Sequence, residues 1–532
     1  MSTSRRAGTW LAVTGLLGAT VIGGAPGAAA AAELPVYAVR STGLTADQAT
    51  ALQRAFGLKS VHRAEDGSVS FADEATYLRV PGLDAGTGQA DEEGQATTGT
   101  KLDLDAIKRL RAIGEADAIK KAAETLRGVG LLPAGATPTA RQTTLEVVDA
   151  DGKAVVSAPL DTAVSFALSV DGVPLEGAGA KIRIAFDGSG AVSALTYSTR
   201  ELVKVGSVPV LDQAGARERC LKVLGADTRL SGVSYVYDSP ALDEKVDRLE
   251  PSVRCLAEVA DTPSAQAVTV PANPSASLPQ PDPTPPPREA SFGTASIPRV
   301  DVGDEGTGWC AGLPLTNLNN NRFDAEFTGR GIPVQFKWRD TNAWERDFKD
   351  PAFPYGWDQL YVDDVDLTYW TGRGSPTGLS FAGCSAQSDS FLANTEARWG
   401  NRDLEWLSLY APGVLRSTWA GKSWAARWGK AFQGLHQING FDSGVVHTST
   451  HGRKFGNYLL RTPFLWWNKP LKVRAAWAQA SIDTQPSSVV WSTMGPIGSS
   501  WIANFDDYFW GKGPVGPDTL PTVGWWRISG TS

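Results

Sequence analysis

Apolar and polar positions along this chain change rhythm near its middle. "TADQATALQRAFG" (Thr45 to Gly57) places Ala49, Leu52 and Phe56 at helical spacing behind a Thr45/Gln48 capping pair. "LDAIKRLRAIG" and "DAIKKAAETLRGVG" predict two more short helices. From Thr143 the period drops to two. "TLEVVDADGKAVVSAPL" and "KIRIAFDGSGAVSALTYSTREL" alternate around Asp151-Gly152 and Asp187-Gly188, a hairpin signal. "LDQAGARERCLKVLG" (Leu211 to Gly225) reads as a helix and "SVRCLAEVA" as a strand. Helices on one face of an antiparallel sheet make an α+β unit, assigned to residues 34–260.

Periodicity then stops. Asp261 to Val300 is rich in Pro, Ser and Ala and predicts an extended linker over 261–300. Beyond it, strands and helices alternate over 301–532. The strands are "GIPVQFKWRD", "VDLTYWT", "LEWLSLYA", "SGVVHTST" and "SSVVWSTMG". The helices are "KSWAARWGKAFQGLHQING", "GRKFGNYLLRT" and "LKVRAAWAQASI". Apolar strands alternating with helices predict an α/β domain with a mostly parallel sheet and helices on both faces. Such sheets carry their functional loops at the carboxyl ends of adjacent strands.

Composition sharpens the division. Of 19 tryptophans, 18 lie at or after Trp309. A net charge of −7 argues against nucleic acid as a partner. Residues 1–33 read as a secretory signal: Arg5 and Arg6, a short apolar run broken by Gly and Pro, then small residues. No other segment is long and apolar enough to span a bilayer, so the expected product is exported, without a membrane span, and extracellular. Four cysteines in an exported chain predict two disulfides. Three pairings are open; the linker between the second and third cysteine favours Cys220–Cys255 and Cys310–Cys384.

Two strand ends draw the chemistry. "VDLTYWTGRGSP" (Val365 to Pro376) runs from a buried-type strand into an apparent turn with Arg373 at its apex. "LEWLSLYAPGVL" (Leu404 to Leu415) stops at a second small-residue loop. The pair resembles the caspase-like cysteine peptidases, the group of legumain, gingipain and caspase. There, one strand ends in His-Gly and its neighbour in Ala-Cys, giving a base and a thiol nucleophile. "AWERDFKDP", "RWGNRDLEWLSLYAPGVL", "AFQGLHQINGF" and "DDYFWGKGPVGPD" extend the likeness to an uncharacterised exported bacterial family. Residues Asp171 to Leu202 resemble PepSY-type peptidase propeptides, which implies an inhibitory or chaperoning region; any antiparallel sheet with Asp-Gly turns fits equally.

The departures from that pattern set the expected function. Arg373 stands where the resemblance implies histidine, and Pro412 where it implies cysteine. Arginine stays protonated and cannot accept a thiol proton. Proline offers no nucleophile. The expectation is a pseudoenzyme whose cleft, with Gly372, Gly374, Ser375, Asp366, Ala411, Gly413 and His436 as candidate lining, binds a peptide or protein. No cofactor or metal is expected. His447 and His451 would share one face of a strand, but no HExxH or CxxC accompanies them. Asp363, Asp364 and Asp366 read as solvated loop residues or as partners of Arg373. Two alternatives remain: a hydrolase using His436 with Asp366 or Ser375, and a cell-envelope carbohydrate binder using Trp466-Trp467 and Trp525-Trp526. Ligand and oligomeric state are not set by the sequence.

Overall fold

The computed structural model describes residues 32–73, 75–90, 96–258, 265–280, 288, 300–384, 389–463 and 468–532. The signal-like segment, most of the linker and Trp466-Trp467 lie outside them. Among the described residues no helix is long and apolar enough to cross a membrane.

The amino-terminal half supplies β1 (Thr137–Asp149), β2 (Ala154–Val170), β3 (Lys181–Phe186) and β4 (Val192–Ser198). It then adds α1 (Gln213–Leu224), β5 (Leu230–Asp238), β6 (Pro251–Glu258) and β7 (Ala265–Pro271). The carboxyl-terminal half contributes β8 (Val302–Gly306), α2 (Thr316–Thr328), β9 (Val334–Arg339), β10 (Leu367–Thr371) and β11 (Trp406–Tyr410). It continues through β12 (Gln437–Phe441), β13 (Val445–Val446), α3 (His451–Leu460), α4 (Val473–Thr484), β14 (Val490–Ile497) and β15 (Gly524–Thr531).

One mixed sheet runs through both halves. Its order is β9-β8-β10-β11-β12-β14-β15-β1-β2-β3-β4. The first five strands are parallel and the rest antiparallel. The two halves meet at β15–β1, in register from Gly524↔Asp149 to Ser529↔Thr144. A second sheet, β5-β6-β7, joins the carboxyl-terminal half where β7 pairs in parallel with β13.

Local chemistry explains the strands. β10 and β11 are buried at every position, as strands covered on both faces must be. Edge strand β9 alternates instead. Successive side chains point to opposite faces. Tyr369, Trp406 and Tyr410 join a core with Phe323 of α2, Phe455 of α3 and Trp477 of α4. Trp370, Leu407 and Leu409 join a second core with Phe348, Trp399 and Trp428.

Several expectations need correction. The three long helices of the carboxyl-terminal half sit in one core. The other face is covered mainly by loops, 3-10 turns and the short helix Trp424–Trp428, not by a full helical layer. "KSWAARWGKAFQGLHQING" is not one helix: it turns at Gly429–Ala431 and ends in strand β12. Gly434, at φ 140, breaks the run. Residues 265–271, assigned to the linker, form β7 because Ala267, Val268 and Val270 fill a core with Cys255 and Ala272 or pair with β6. β8, α2 and β15 were not read from the sequence. The Thr45/Gln48 capping box is present as predicted.

Candidate functional site

β8 is the point where connections reverse direction: β9 lies on one side and β10 on the other. The crevice at the carboxyl ends of β8 and β10 is therefore the expected ligand position of such a sheet. Thr307 closes it, its N–H donating to the Thr371 carbonyl at 3.0 Å.

Arg373 follows β10 after a single residue, Gly372. The chain does not make the expected turn there. Arg373–Ser375 is a short strand paired with Gly378–Ser380, which in turn pairs with Phe391–Ala393. The flanking glycines serve close packing. A Cβ on Gly372 would lie 2.5 Å from Thr307 Oγ1, and one on Gly374 would lie 2.7 Å from the Ala411 Cβ. β10 and β11 pair in parallel up to Thr371↔Tyr410, and a Cβ on Gly374 would lie 3.5 Å from the Pro412 carbonyl oxygen, so the two segments beyond the strand ends approach each other. Pro412 and Ala411 are buried, and the N–H of Gly413 donates to the Ser443 carbonyl at 2.8 Å.

The loop after β8 provides the acceptor for Arg373. Asp340 Oδ1 accepts the N–H groups of Gly308 (3.0 Å) and Cys310 (3.2 Å), and Oδ2 accepts from Asn317 Nδ2 at 2.7 Å. The Cys310–Cys384 disulfide ties the loop to the segment after Gly378–Ser380. Gly312, at φ 69, lets the loop pass against Leu224 of α1. Arg373 Nη2 then donates to the Ala311 carbonyl at 2.6 Å. Its Nε is buried with no partner. No carboxylate pairs with Arg373 among the described residues, and burial alone lowers its pKa from the usual arginine value. Cys220–Cys255 is the second disulfide.

The disulfide prediction follows directly. Cys310→Ser/Cys384→Ser removes a cross-link spanning 74 residues, worth about 4 kcal/mol in a chain-entropy model. Denaturant titration of the variant checks this; a loss under about 1 kcal/mol would contradict it.

His447 belongs to this end of the sheet, directly after the short strand β13, as the preference for a strand-end residue over a metal ligand expects. It is 2% exposed, both ring nitrogens lack protein partners, and its ring meets Tyr410 edge-on at 5.6 Å. Burial, then the nearby Arg373 charge, push its pKa down to about 3. A cavity of about 60 Å³ borders it, lined also by Leu315, Thr448, Asp238 and Glu244. Asp238 and Glu244 come from the amino-terminal half, so the two halves meet around this cavity.

Other candidates lie elsewhere. Asp366 precedes β10 and His436 precedes β12, so both sit at the amino ends of the parallel strands. Five strand residues, about 16 Å, separate that end from Arg373. There Asp366 Oδ2 accepts the Asp301 N–H at 2.6 Å, and His436 bonds Asp507 at 2.7 Å and Asp518 at 3.2 Å. They are therefore corrected from cleft lining to the opposite edge of the sheet. Ser375 Oγ accepts the Thr377 N–H at 3.2 Å within the hairpin. Asp363 and Asp366 are buried rather than solvated; Asp363 accepts the Gly400 N–H at 2.6 Å, and Asp364 pairs with Arg402 at 2.6 Å. His451 begins α3 instead of sharing a strand with His447, and no His/Cys/Asp/Glu group able to hold a metal occurs among the described residues. Trp525 and Trp526 are buried, which removes that pair as a sugar platform.

Comparison with known proteins adds little chemistry. No curated protein matches the chain. An uncharacterised protein from Eubacterium rectale ATCC 33656 is similar at 12% identity and a TM-score of 0.25, over 46% of this chain and 85% of that one. The YpeB C-terminal domain of Bacillus megaterium is similar at 14% identity and a TM-score of 0.20, over 44% of this chain and 94% of that one. Residues 304–530 match the family model described as "Domain of unknown function (DUF6345)".

Proposed function

We propose that residues 301–532 form a caspase-like domain whose dyad positions are held by Arg373 and Pro412, and that the exported protein binds a peptide or protein without cleaving it. The observation that supports this reading is the parallel pairing of β10 with β11 up to Thr371↔Tyr410, the adjacent strand ends from which the segments carrying Arg373 and Pro412 depart. Neither can perform proton transfer or nucleophilic attack at neutral pH. The half-buried guanidinium lacks a carboxylate partner among the described residues. A peptide C-terminus or acidic side chain supplies what it lacks, through a two-pronged hydrogen bond. The propeptide-like reading of residues 34–260 is supported by their contact with the carboxyl-terminal half around the cavity beside His447.

The purified full chain should show no thiol-dependent turnover of peptide libraries. It should bind peptides with a free carboxylate more tightly than their amides. Arg373→Ala should weaken that preference 10- to 100-fold, the range for a charged hydrogen bond. Turnover by the wild type, or an unchanged preference in the variant, would overturn the reading.

A further inference from the structure

Arg288 is buried in a pocket formed by residues of the carboxyl-terminal half. Its guanidinium carbon lies 3.9 Å from the ring centre of Trp344, 4.1 Å from that of Trp338 and 4.6 Å from that of Tyr361. Its Nη1 lies 2.8 Å from Asp347 Oδ2, and the two side chains are 5% and 0% exposed. Glu305 completes the floor. It is fully buried, and its Oε1 accepts the Trp344 N–H at 2.6 Å. Glu305 Oε2 and Asp347 Oδ1 are buried without donors.

The chemistry selects a guanidinium. Three aromatic faces surround a planar cation, which stacks on them as an ammonium does not. Two carboxyl groups stand below, and Arg346 stacks beside the pocket, 4.2 Å from the ring centre of Trp344 and 3.6 Å from that of Trp357. Trp338 is the penultimate residue of β9 and Glu305 of β8, so the pocket opens at the carboxyl edge of the sheet. Aromatic packing fixes its walls: Trp338 and Tyr361 meet edge-on at 6.0 Å, and Trp344 packs at 6.4 Å from Trp357.

We propose that Trp338, Trp344, Tyr361, Asp347 and Glu305 form a recognition pocket for the arginine side chain of a peptide, held in the free protein by the chain's own Arg288. This site is built from other residues than Arg373 and Pro412 and stands independently of their reading. Because Arg288 belongs to the same chain, it competes at a high effective concentration. An external arginine therefore binds well only when Arg288 withdraws or is absent.

The probe is Nα-acetyl-arginine amide, titrated into the full chain by tryptophan fluorescence and calorimetry, with Nα-acetyl-citrulline amide as the neutral control. Arg288→Ala should bind the arginine probe saturably and at least 10-fold tighter than wild type. Citrulline should not bind, and adding Asp347→Asn should reduce affinity at least 10-fold. Equal affinity of wild type and Arg288→Ala, or equal binding of citrulline, would overturn the proposal. Trypsin gives a second measurement that does not depend on the alanine variant folding. It should spare the Arg288–Glu289 bond in the native wild type and cut it at least 10-fold faster in Asp347→Asn; equal rates would overturn the cis occupancy.

Discussion

Arg339→Met is expected to lower the free energy of unfolding by 3–5 kcal/mol, the usual cost of removing one partner from a buried ion pair. Arg339 ends β9 and its guanidinium spans three elements. Nη1 donates to Asp304 Oδ1 of β8 at 3.0 Å, and Nη2 lies 2.7 Å from Asp304 Oδ2 and 3.1 Å from Asp324 Oδ2 of α2. Asp304 is fully buried. Burial pushes its carboxyl well above the usual range, and the Arg339 fork opposes that rise. Without arginine, Asp304 must either remain charged in the core or take up a proton, and both options cost stability. Arg339→Lys keeps the charge but loses the fork, so it should recover less than half of the loss. The Met deficit should also narrow as pH falls, because protonated Asp304 no longer needs a cation. Urea titration of both variants at neutral and acid pH tests this. A Met variant within 1 kcal/mol of wild type, or a Lys variant equal to wild type, would show that the network contributes specificity rather than stability.

The parts of the fold legible in the sequence were those with a clean period. The hairpins of β1–β4, helices α1, α3 and α4, and the apolar runs of β10 and β11 all carry one signal undisturbed by another. α2 was missed because "TNLNNNRFDAEFT" contains four asparagines, poor helix formers by local propensity. Tertiary contacts account for the exception: Asn319 Nδ2 donates to the Tyr369 hydroxyl at 2.8 Å, its Oδ1 accepts the Gly452 N–H at 2.7 Å, and Asn317 holds Asp340. β8 was missed because "VGDEG" has charged residues in a buried strand; Asp304 and Glu305 are explained only by partners far away in sequence. At the site, the ends of β10 and β11 were legible because a strand end is a local property, whereas singling out Arg373 and Pro412 there rested on the resemblance to caspase-like peptidases. The local pattern did not place His436, because the segment holding it reads as one long helix, whereas the chain enters β12 directly after His436. Nor could it reveal that β15 pairs with β1 and joins the halves into one sheet. Arg288 carried no periodic signal; its meaning lies in aromatic residues at least 50 positions away.

The three described core histidines are expected to titrate far from one another, and a single experiment separates them. His451 is fully buried. Its Nδ1 pairs with the Tyr369 hydroxyl at 3.1 Å and its Nε2 with Ser481 Oγ at 3.2 Å, and Trp477 meets its ring edge-on at 4.6 Å. Burial lowers its pKa to about 3, as burial and Arg373 do for His447. His436 behaves oppositely: burial alone lowers its pKa, but Asp507 and Asp518 outweigh that and raise it to about 9. For His447 and His451 the unfolded chain binds more protons than the fold between pH 3 and 6.5. Stability therefore falls as pH drops through that window, by up to about 5 kcal/mol for each group. For His436 the fold binds more protons than the unfolded chain, so its contribution is complete below pH 6.5 and is lost as pH rises through about 9; it amounts to about 3 kcal/mol. Buried carboxyls such as Asp301 and Asp363, whose pKa values burial raises to about 7, favour the fold at acid pH and so oppose the first two histidines. The net profile is thus a sum, and variants isolate its parts. His451→Gln should gain on wild type steadily from pH 6.5 downward, and His436→Gln should lose most to wild type below pH 6.5 and approach it near pH 10. Imidazole nitrogen resonances give the direct measurement: neutral rings for His447 and His451 at pH 5, and a protonated ring for His436 at pH 7.5. A midpoint between pH 6 and 7 for any of the three would mean that water reaches that ring, and the closed packing described around it would be wrong.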